Sequence, residues 1–116
     1  MARIRSLKPT FWADEAVAEM TRDARLLTIG LISFADDEGR FLASTSAISG
    51  YAFPHDDLPA ARVRKWLDEI EAAGIIRLYS VSRREYGAFP NWTKHQRINR
   101  PTDSLLPAPP MLRAVS

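Results

Sequence analysis

The chain has 116 residues, of which 46% are hydrophobic and 26% are charged, and its formal net charge is +2. This length suits one compact domain, because single hydrophobic cores commonly form at about 100 to 150 residues. Since the sequence has no cysteine, no secretory signal and no apolar run of about 20 residues, we expect a cytoplasmic protein without disulfides, thiolate chemistry or membrane contact.

The charges are sorted along the chain. Residues 1–8 carry three basic and no acidic side chains, whereas residues 9–38 carry seven acidic side chains and two arginines. Basic groups outnumber acidic groups again from residue 39 onward. Because phosphate binding depends on local potential more than on total charge, this sorting predicts one anion-binding surface and one acidic surface.

The first third of the chain predicts two consecutive helices. Pro9 suits a first helical turn, and apolar residues recur four apart along a predicted helix over about 9–19: Trp12, Ala16 and Met20. Thr21 is the expected N-cap of the next helix, with Asp23 near its positive end. That second helix has a broad apolar face, which we expect at the centre of the core: Leu26, Leu27, Ile29, Gly30, Leu31 and Phe34.

A short strand and a short helix are expected next. The acidic run 36–38 ends the core helix, and Gly39 can adopt a positive φ that turns the chain into a strand over 40–42. Hydroxyl side chains at 44–46 can cap the following helix. Pro54 ends this helix, because proline cannot continue it.

A longer helix is predicted over 58–73. Asp56 or Asp57 is expected to cap it. Pro59 suits its first turn, and Gly74 is the expected stop. Its apolar residues recur at helical spacing: Val63, Trp66, Leu67, Ile70 and Ala73.

Two β-prone segments and a tail complete the chain. Residues 75–81 and 84–92 read as a hairpin joined by the polar residues 82–84. Beyond them, several prolines disfavour regular structure. We interpret residues 94–116 as an extended tail, basic at first and then proline-rich, that docks on a partner or a neighbouring subunit.

The order of these elements predicts an α+β fold, mainly α. It is the order of a winged helix-turn-helix domain, which we place at residues 1–93 with a basic N-terminal arm and a C-terminal two-stranded wing. Residues 94–116 form the tail. In that fold the helix over 58–73 lies in the DNA major groove, and the hairpin loop 82–84 touches the backbone beside it.

Three strings also carry a resemblance: RIRSLKPTFW (3–12), ARLLTIGLISFADDEGRF (24–41) and FPNWTKHQRINRP (89–101). The chain resembles, over about residues 2–101, small winged helix-turn-helix proteins of phages and actinobacterial prophages. These are related to the N-terminal domains of phage replication initiators and replisome organisers. The resemblance implies binding of double-stranded DNA in replication initiation or control, or in transcriptional regulation.

Three basic residues on the predicted helix over 58–73 are candidates for reading bases: Arg62, Arg64 and Lys65. They lie in the first half of the helix, which approaches base edges in this docking, and arginine can pair with guanine through two hydrogen bonds. The alternative is an ordinary solvated helix face, because Asp68 and Glu69 stand at i, i+4 from Arg64 and Lys65.

Further basic residues are candidates for contact with the DNA backbone. Arg83 and Arg84, at the hairpin tip, are expected to touch phosphates. The acid-free start of the tail and the N-terminal arm can lie along phosphates or enter a minor groove: Lys94, Arg97 and Arg100 in the tail, and Arg3 and Arg5 in the arm. For the tail, an ordinary solvated linker is the alternative.

The sequence predicts no enzyme, cofactor or metal site. His55 precedes two aspartates that can ligate a metal, but helix capping between two prolines explains this group better. Neither a glycine-rich phosphate loop nor a GxSxG motif is present. A binding protein is therefore the expected class.

The expected partner is double-stranded DNA, bound by a homodimer or at repeated sites because one winged helix buries little DNA surface. The alternative is a winged-helix module that binds a host or replication protein through the acidic residues 9–38 or the proline-rich tail. DNA binding should weaken steeply as salt rises, whereas a mainly apolar protein contact should change little.

Overall fold

The fold begins with two short helices where one was expected over 9–19. In a computed structural model that describes residues 3–110, α1 spans Thr10–Ala13 and α2 spans Glu15–Glu19. Between them Asp14 is extended, and its carboxylate accepts hydrogen bonds from two amides of α2. Because the helix is interrupted at Asp14, Trp12 faces solvent and is 63% exposed. Met20 is buried as expected.

The core helix, α3, spans Arg22–Phe34. The hydroxyl of Thr21 accepts a hydrogen bond from the amide of Ala24, so the predicted N-cap is confirmed. The buried stripe is narrower than expected, since Leu26 is 53% exposed. Four residues at helical spacing are buried: Ala24, Leu27, Thr28 and Leu31.

Helices α4 (Thr45–Ala52) and α5 (Ala60–Ala72) pack on α3 and on each other. Ser44 caps α4 as predicted. The expected aspartate cap of α5 is wrong, because Pro59 is its N-cap residue and no side chain caps it. The apolar stripe of α5 is buried as expected: Val63, Trp66, Leu67 and Ile70.

Three strands form one antiparallel sheet in the order β1-β3-β2. β1 spans Arg40–Leu42, β2 spans Arg77–Val81 and β3 spans Arg84–Ala88. Side chains alternate between faces along a strand, and the inner face turns towards the helices. The opposite face, which we call the outer face, carries a second apolar cluster around Tyr79 and Tyr86.

The chain after the sheet folds back over the domain. A short helix that was not predicted, α6, spans Trp92–His95. Residues 96–110 contain no further helix or strand and cross the acidic turn 36–38 and the outer face of the sheet. The described part of the tail therefore lies on its own domain, while its end at 111–116 lies outside the described residues.

The α+β, mainly α fold class is confirmed, with a small antiparallel sheet beside the helices. One apolar core joins α2, α3, α4, α5, β1 and α6. Within residues 3–110, none of the helices is long and apolar enough to cross a membrane.

Candidate nucleic-acid interface

The ten basic residues selected from the sequence fall into two groups at opposite ends of β3. The helix–hairpin group lies on α5 and at the tip of the β2–β3 hairpin: Arg62, Arg64, Lys65, Arg83 and Arg84. The arm–tail group lies where both ends of the described chain meet the turn before β1: Arg3, Arg5, Lys94, Arg97 and Arg100. The strand β3, whose five residues span about 13 Å at about 3.3 Å per residue, lies between the two groups.

Arg64 connects α5 to the hairpin. Its guanidinium forms an ion pair with Glu85 of β3, and its Nε lies 3.2 Å from a carboxylate oxygen of Asp68. The hydrogen bond that Arg64 donates to Glu85 raises the pKa of Arg64, against the effect of burial. Two carboxylates thus occupy the guanidinium, so Arg64 positions the hairpin beside α5 in this structure instead of facing solvent freely.

Arg62 and Lys65 are the exposed cations of α5. The expected i, i+4 pair between Lys65 and Glu69 is absent, because Glu69 accepts hydrogen bonds from the backbone and hydroxyl of Thr21. Neither basic side chain forms an ion pair within the described residues. Both therefore remain available to an external anion.

The hairpin tip presents Arg83 in an uncommon backbone conformation. Ser82 and Arg83 form a two-residue turn with φ of 51° and 67°, the left-handed region that favours glycine. Arg84 follows as the first residue of β3, opposite Val81. Both arginine side chains are exposed, and neither pairs with an acid among residues 3–110.

The arm arginines are held by the domain itself. Arg3 and Arg5 contact the two carboxylate oxygens of Asp37 at 2.6 and 2.9 Å. Arg5 also donates to the carbonyl of Ala35 and lies over the ring of Trp92, 5.1 Å from its centre. Its side chain is only 3% exposed, so in this structure Arg5 does not face solvent as the expected DNA contact requires.

Asp37 is the residue that sequence reasoning missed. Its pKa falls to about 2 because it accepts a hydrogen bond from the amide of Thr102 and others from Arg5 and Arg3, which together outweigh the effect of burial. Its carbonyl accepts the indole N–H of Trp92. The sequence signal for this pairing is the complementary charge of the acid-free arm and the acidic turn.

The remaining members of the arm–tail group are exposed. Lys94, Arg97 and Arg100 follow one another around the end of α6, as their spacing in the sequence suggests. The backbone carbonyl of Lys94 accepts a hydrogen bond from the ammonium of Lys8. Gln96, between them, is buried and exchanges two hydrogen bonds with the backbone of Ser6, which ties the arm to the start of the tail.

Within residues 3–110, no group of three or more His, Cys, Asp or Glu side chains stands close enough to hold a metal ion. Comparison with protein-family models, curated proteins and solved structures gives no match for the chain.

Proposed function

We propose that the chain is a winged-helix domain that binds double-stranded DNA through the helix–hairpin group. Helices α4 and α5 form the helix-turn-helix, and the β2–β3 hairpin is the wing. The element order α3-β1-α4-α5-β2-β3 and the sheet order β1-β3-β2 support this assignment. The resemblance to phage proteins favours a role in replication initiation or control, or in transcriptional regulation.

The ion pair between Arg64 and Glu85 is the observation that carries the proposal. It holds the first half of α5 beside the start of β3, one residue from Arg84. Exposed cations on two elements therefore belong to one rigid unit: Arg62, Lys65, Arg83 and Arg84. A helix that enters the major groove with its N-terminal half, next to a basic hairpin on the backbone, needs this arrangement.

The acidic second half of α5 does not oppose this docking as strongly as the sequence suggests. Each of its three carboxylates has a partner within the domain. Asp68 contacts Arg64, Glu69 accepts hydrogen bonds from Thr21, and Glu71 accepts one from the amide of Leu78. These contacts offset part of the negative charge near the proposed interface, and they leave the basic first half as the side that faces DNA.

The experiment is a titration of labelled duplexes, random sequence against fragments of the chain's own genomic neighbourhood, at two salt concentrations. Replacing both hairpin arginines, Arg83→Ala with Arg84→Ala, should weaken binding to every duplex by a similar factor. Arg62→Ala should instead reduce the preference between sequences, by about 1 to 3 kcal/mol if it reads a guanine. Lys94→Ala with Arg97→Ala is the matched control, because it removes the same charge from the other group.

Each outcome has a definite meaning. A loss with the hairpin pair and retention with the control pair would support the proposal. Equal losses from both pairs would place the duplex along the arm–tail group and contradict it. No binding at either salt concentration would favour the alternative, a winged-helix module for a host or replication protein, whose mainly apolar contact should change little with salt.

A further inference from the structure

The outer face of the sheet contains a binding groove that the tail of the same chain fills. Tyr79 and Tyr86, on neighbouring strands, stack with their ring centres 5.8 Å apart. Leu106 of the tail packs against this pair, and the tyrosines are almost fully buried. Leu105, one residue earlier, is 98% exposed, so the groove selects one of two adjacent leucines.

Two donors in the groove bind backbone carbonyls of the tail. The hydroxyl of Tyr79 donates to the carbonyl of Pro107 at 2.8 Å, and the guanidinium of Arg40 donates to that of Leu106 at 3.0 Å. Burial raises the pKa of Tyr79 above its ordinary value of 10.0, so the hydroxyl keeps its proton at neutral pH. The groove thus recognises an extended backbone and one leucine side chain.

The acidic turn before β1 holds the start of the same segment. Asp37 accepts a hydrogen bond from the amide of Thr102. Ser104 donates its amide hydrogen to Glu38 and its hydroxyl hydrogen to Asp36. Residues 102–107, which we call the latch, therefore contact the domain at both the acidic turn and the groove. These contacts do not involve the residues that lead to the latch.

The stretch 97–101, between α6 and the latch, is strained. Arg100 has a φ of +56°, the left-handed region, and Pro101 follows it. A residue before proline prefers extended backbone, and a residue other than glycine pays a free-energy cost in the left-handed region. The chain accepts this conformation in order to return the latch to its own groove, although four of these five residues are exposed.

We propose that two copies of the chain exchange latches, so that residues 102–107 of each copy occupy the groove of the other. Every latch contact is retained in such a dimer. Ile98 packs against the core, so the chain extends at residues 99–101 and the strain at Arg100 is lost. Exchange of an identical element is a low-cost route to a dimer, and short strained hinges favour it. The inference does not depend on DNA binding.

The strain determines the balance between the two forms. A latch on a short linker meets its own groove at an effective concentration of about 1 mM, which favours the closed monomer. Loss of strain at two hinges favours the dimer. We therefore expect a dimer that dissociates on dilution within the range of about 1 µM to 1 mM, detected by light scattering during gel filtration.

Three variants test this equilibrium. Arg100→Gly removes the strain from the closed form and should raise the dimer dissociation constant about a hundredfold, about tenfold for each of the two hinges, which corresponds to about 2.8 kcal/mol. Arg97→Gly, with the same chemical change in the same exposed stretch, should raise it much less. Leu106→Ser should abolish the dimer, whereas Leu105→Ser should leave it intact.

A mixing experiment distinguishes exchange from any other dimer. One variant lacks the groove donors, Arg40→Ala with Tyr79→Phe, and the other lacks the latch leucine, Leu106→Ser. Each should be monomeric alone, and circular dichroism should confirm that both are folded. Their mixture should form a heterodimer in native mass spectrometry, because the intact latch of the first chain fits the intact groove of the second.

Three results would overturn the proposal. A wild-type chain that stays monomeric at about 1 mM would show that the latch remains on its own domain. A dimer that survives Leu106→Ser would place the interface elsewhere. A mixture that contains only monomers would exclude exchange even if the wild-type chain dimerises.

Discussion

Asp37 is the single residue on which both ends of the described chain converge. Asp37→Asn removes the charge that pairs with Arg3 and Arg5, and it leaves the buried guanidinium of Arg5 without a counterion. We expect a clear fall in melting temperature. Glu38→Gln is the matched control, since Glu38 is more exposed and should matter little. Similar losses from both variants would contradict the role of Asp37.

The pH dependence of stability follows from the same contacts. The pKa of Asp37 is about 2 in the folded chain, below the ordinary value of 3.8. Protons therefore bind the unfolded chain more tightly, and the stabilisation is fully present above the ordinary pKa and disappears as the pH falls towards 2. Across this window, the free energy of unfolding measured with urea should fall more for the wild-type chain than for Asp37→Asn. If the free energies of unfolding of the two proteins change in parallel with pH, this role of Asp37 is contradicted.

Arg83 occupies a turn position where glycine is more stable. Its φ of 67° costs a side-chain-bearing residue about 1 to 2 kcal/mol. Arg83→Gly should therefore stabilise the domain by about 1 kcal/mol, although under the proposed function it weakens DNA binding. Arg84→Gly loses the same charge but lies in β3, so it should destabilise by about 0.5 to 1 kcal/mol. Denaturant unfolding of both variants measures this difference in sign.

At the scale of elements, β3 depends on the absence of a side chain at its centre. A β-carbon on Gly87 would overlap the ring of Phe41, which is fully buried under the sheet. Gly87→Ala should cost about 1 to 3 kcal/mol through overpacking. Gly50→Ala in α4 has nothing within 4 Å of the new carbon and should instead stabilise by up to about 1 kcal/mol. Two equal thermal shifts would refute this packing.

Elements with a strong local signal could be predicted from the sequence. Three such features depend on residues close in sequence: the cap at Thr21, the apolar stripe of α5, and the β2–β3 hairpin with its first strand ending at Val81. The break at Asp14 was missed because helical periodicity continues across it, while the carboxylate caps the second piece. Local propensity cannot separate one kinked helix from two when the decisive hydrogen bond is that of a single side chain.

Contacts between distant residues could not be predicted. Arg5 and Asp37 are separated by 32 positions, and the latch contacts of Tyr79 and Pro107 by 28. Each local sequence indicates only a basic arm, an acidic turn or a proline-rich tail. Because pairing depends on the three-dimensional path, the arm was assigned to DNA while the fold itself occupies its arginines.

At the scale of the whole molecule, the two basic groups differ in what their charges do. The arginines of the arm form ion pairs with Asp37, and the tail crosses the sheet. This end of β3 therefore holds both ends of the described chain. The arginines of the hairpin tip have no acidic partner within residues 3–110. The helix–hairpin group keeps four of its five cations exposed and without an ion pair among residues 3–110, against three of five in the arm–tail group, so it is the better candidate for phosphate binding.

The proposed DNA binding and the proposed latch exchange can be tested together through the salt dependence of affinity. Each phosphate neutralised contributes about −0.9 to the slope of log affinity against log salt, so loss of Arg83 and Arg84 should reduce the slope by about 2 for each bound copy. If an exchanged dimer binds one duplex, Arg100→Gly should approximately halve the slope at concentrations where that variant is monomeric. Arg97→Gly, which removes the same charge but leaves the strain, should not. A slope that responds to the hairpin but not to Arg100→Gly would support DNA binding by single copies, and the oligomeric state measured without DNA would still decide the exchange.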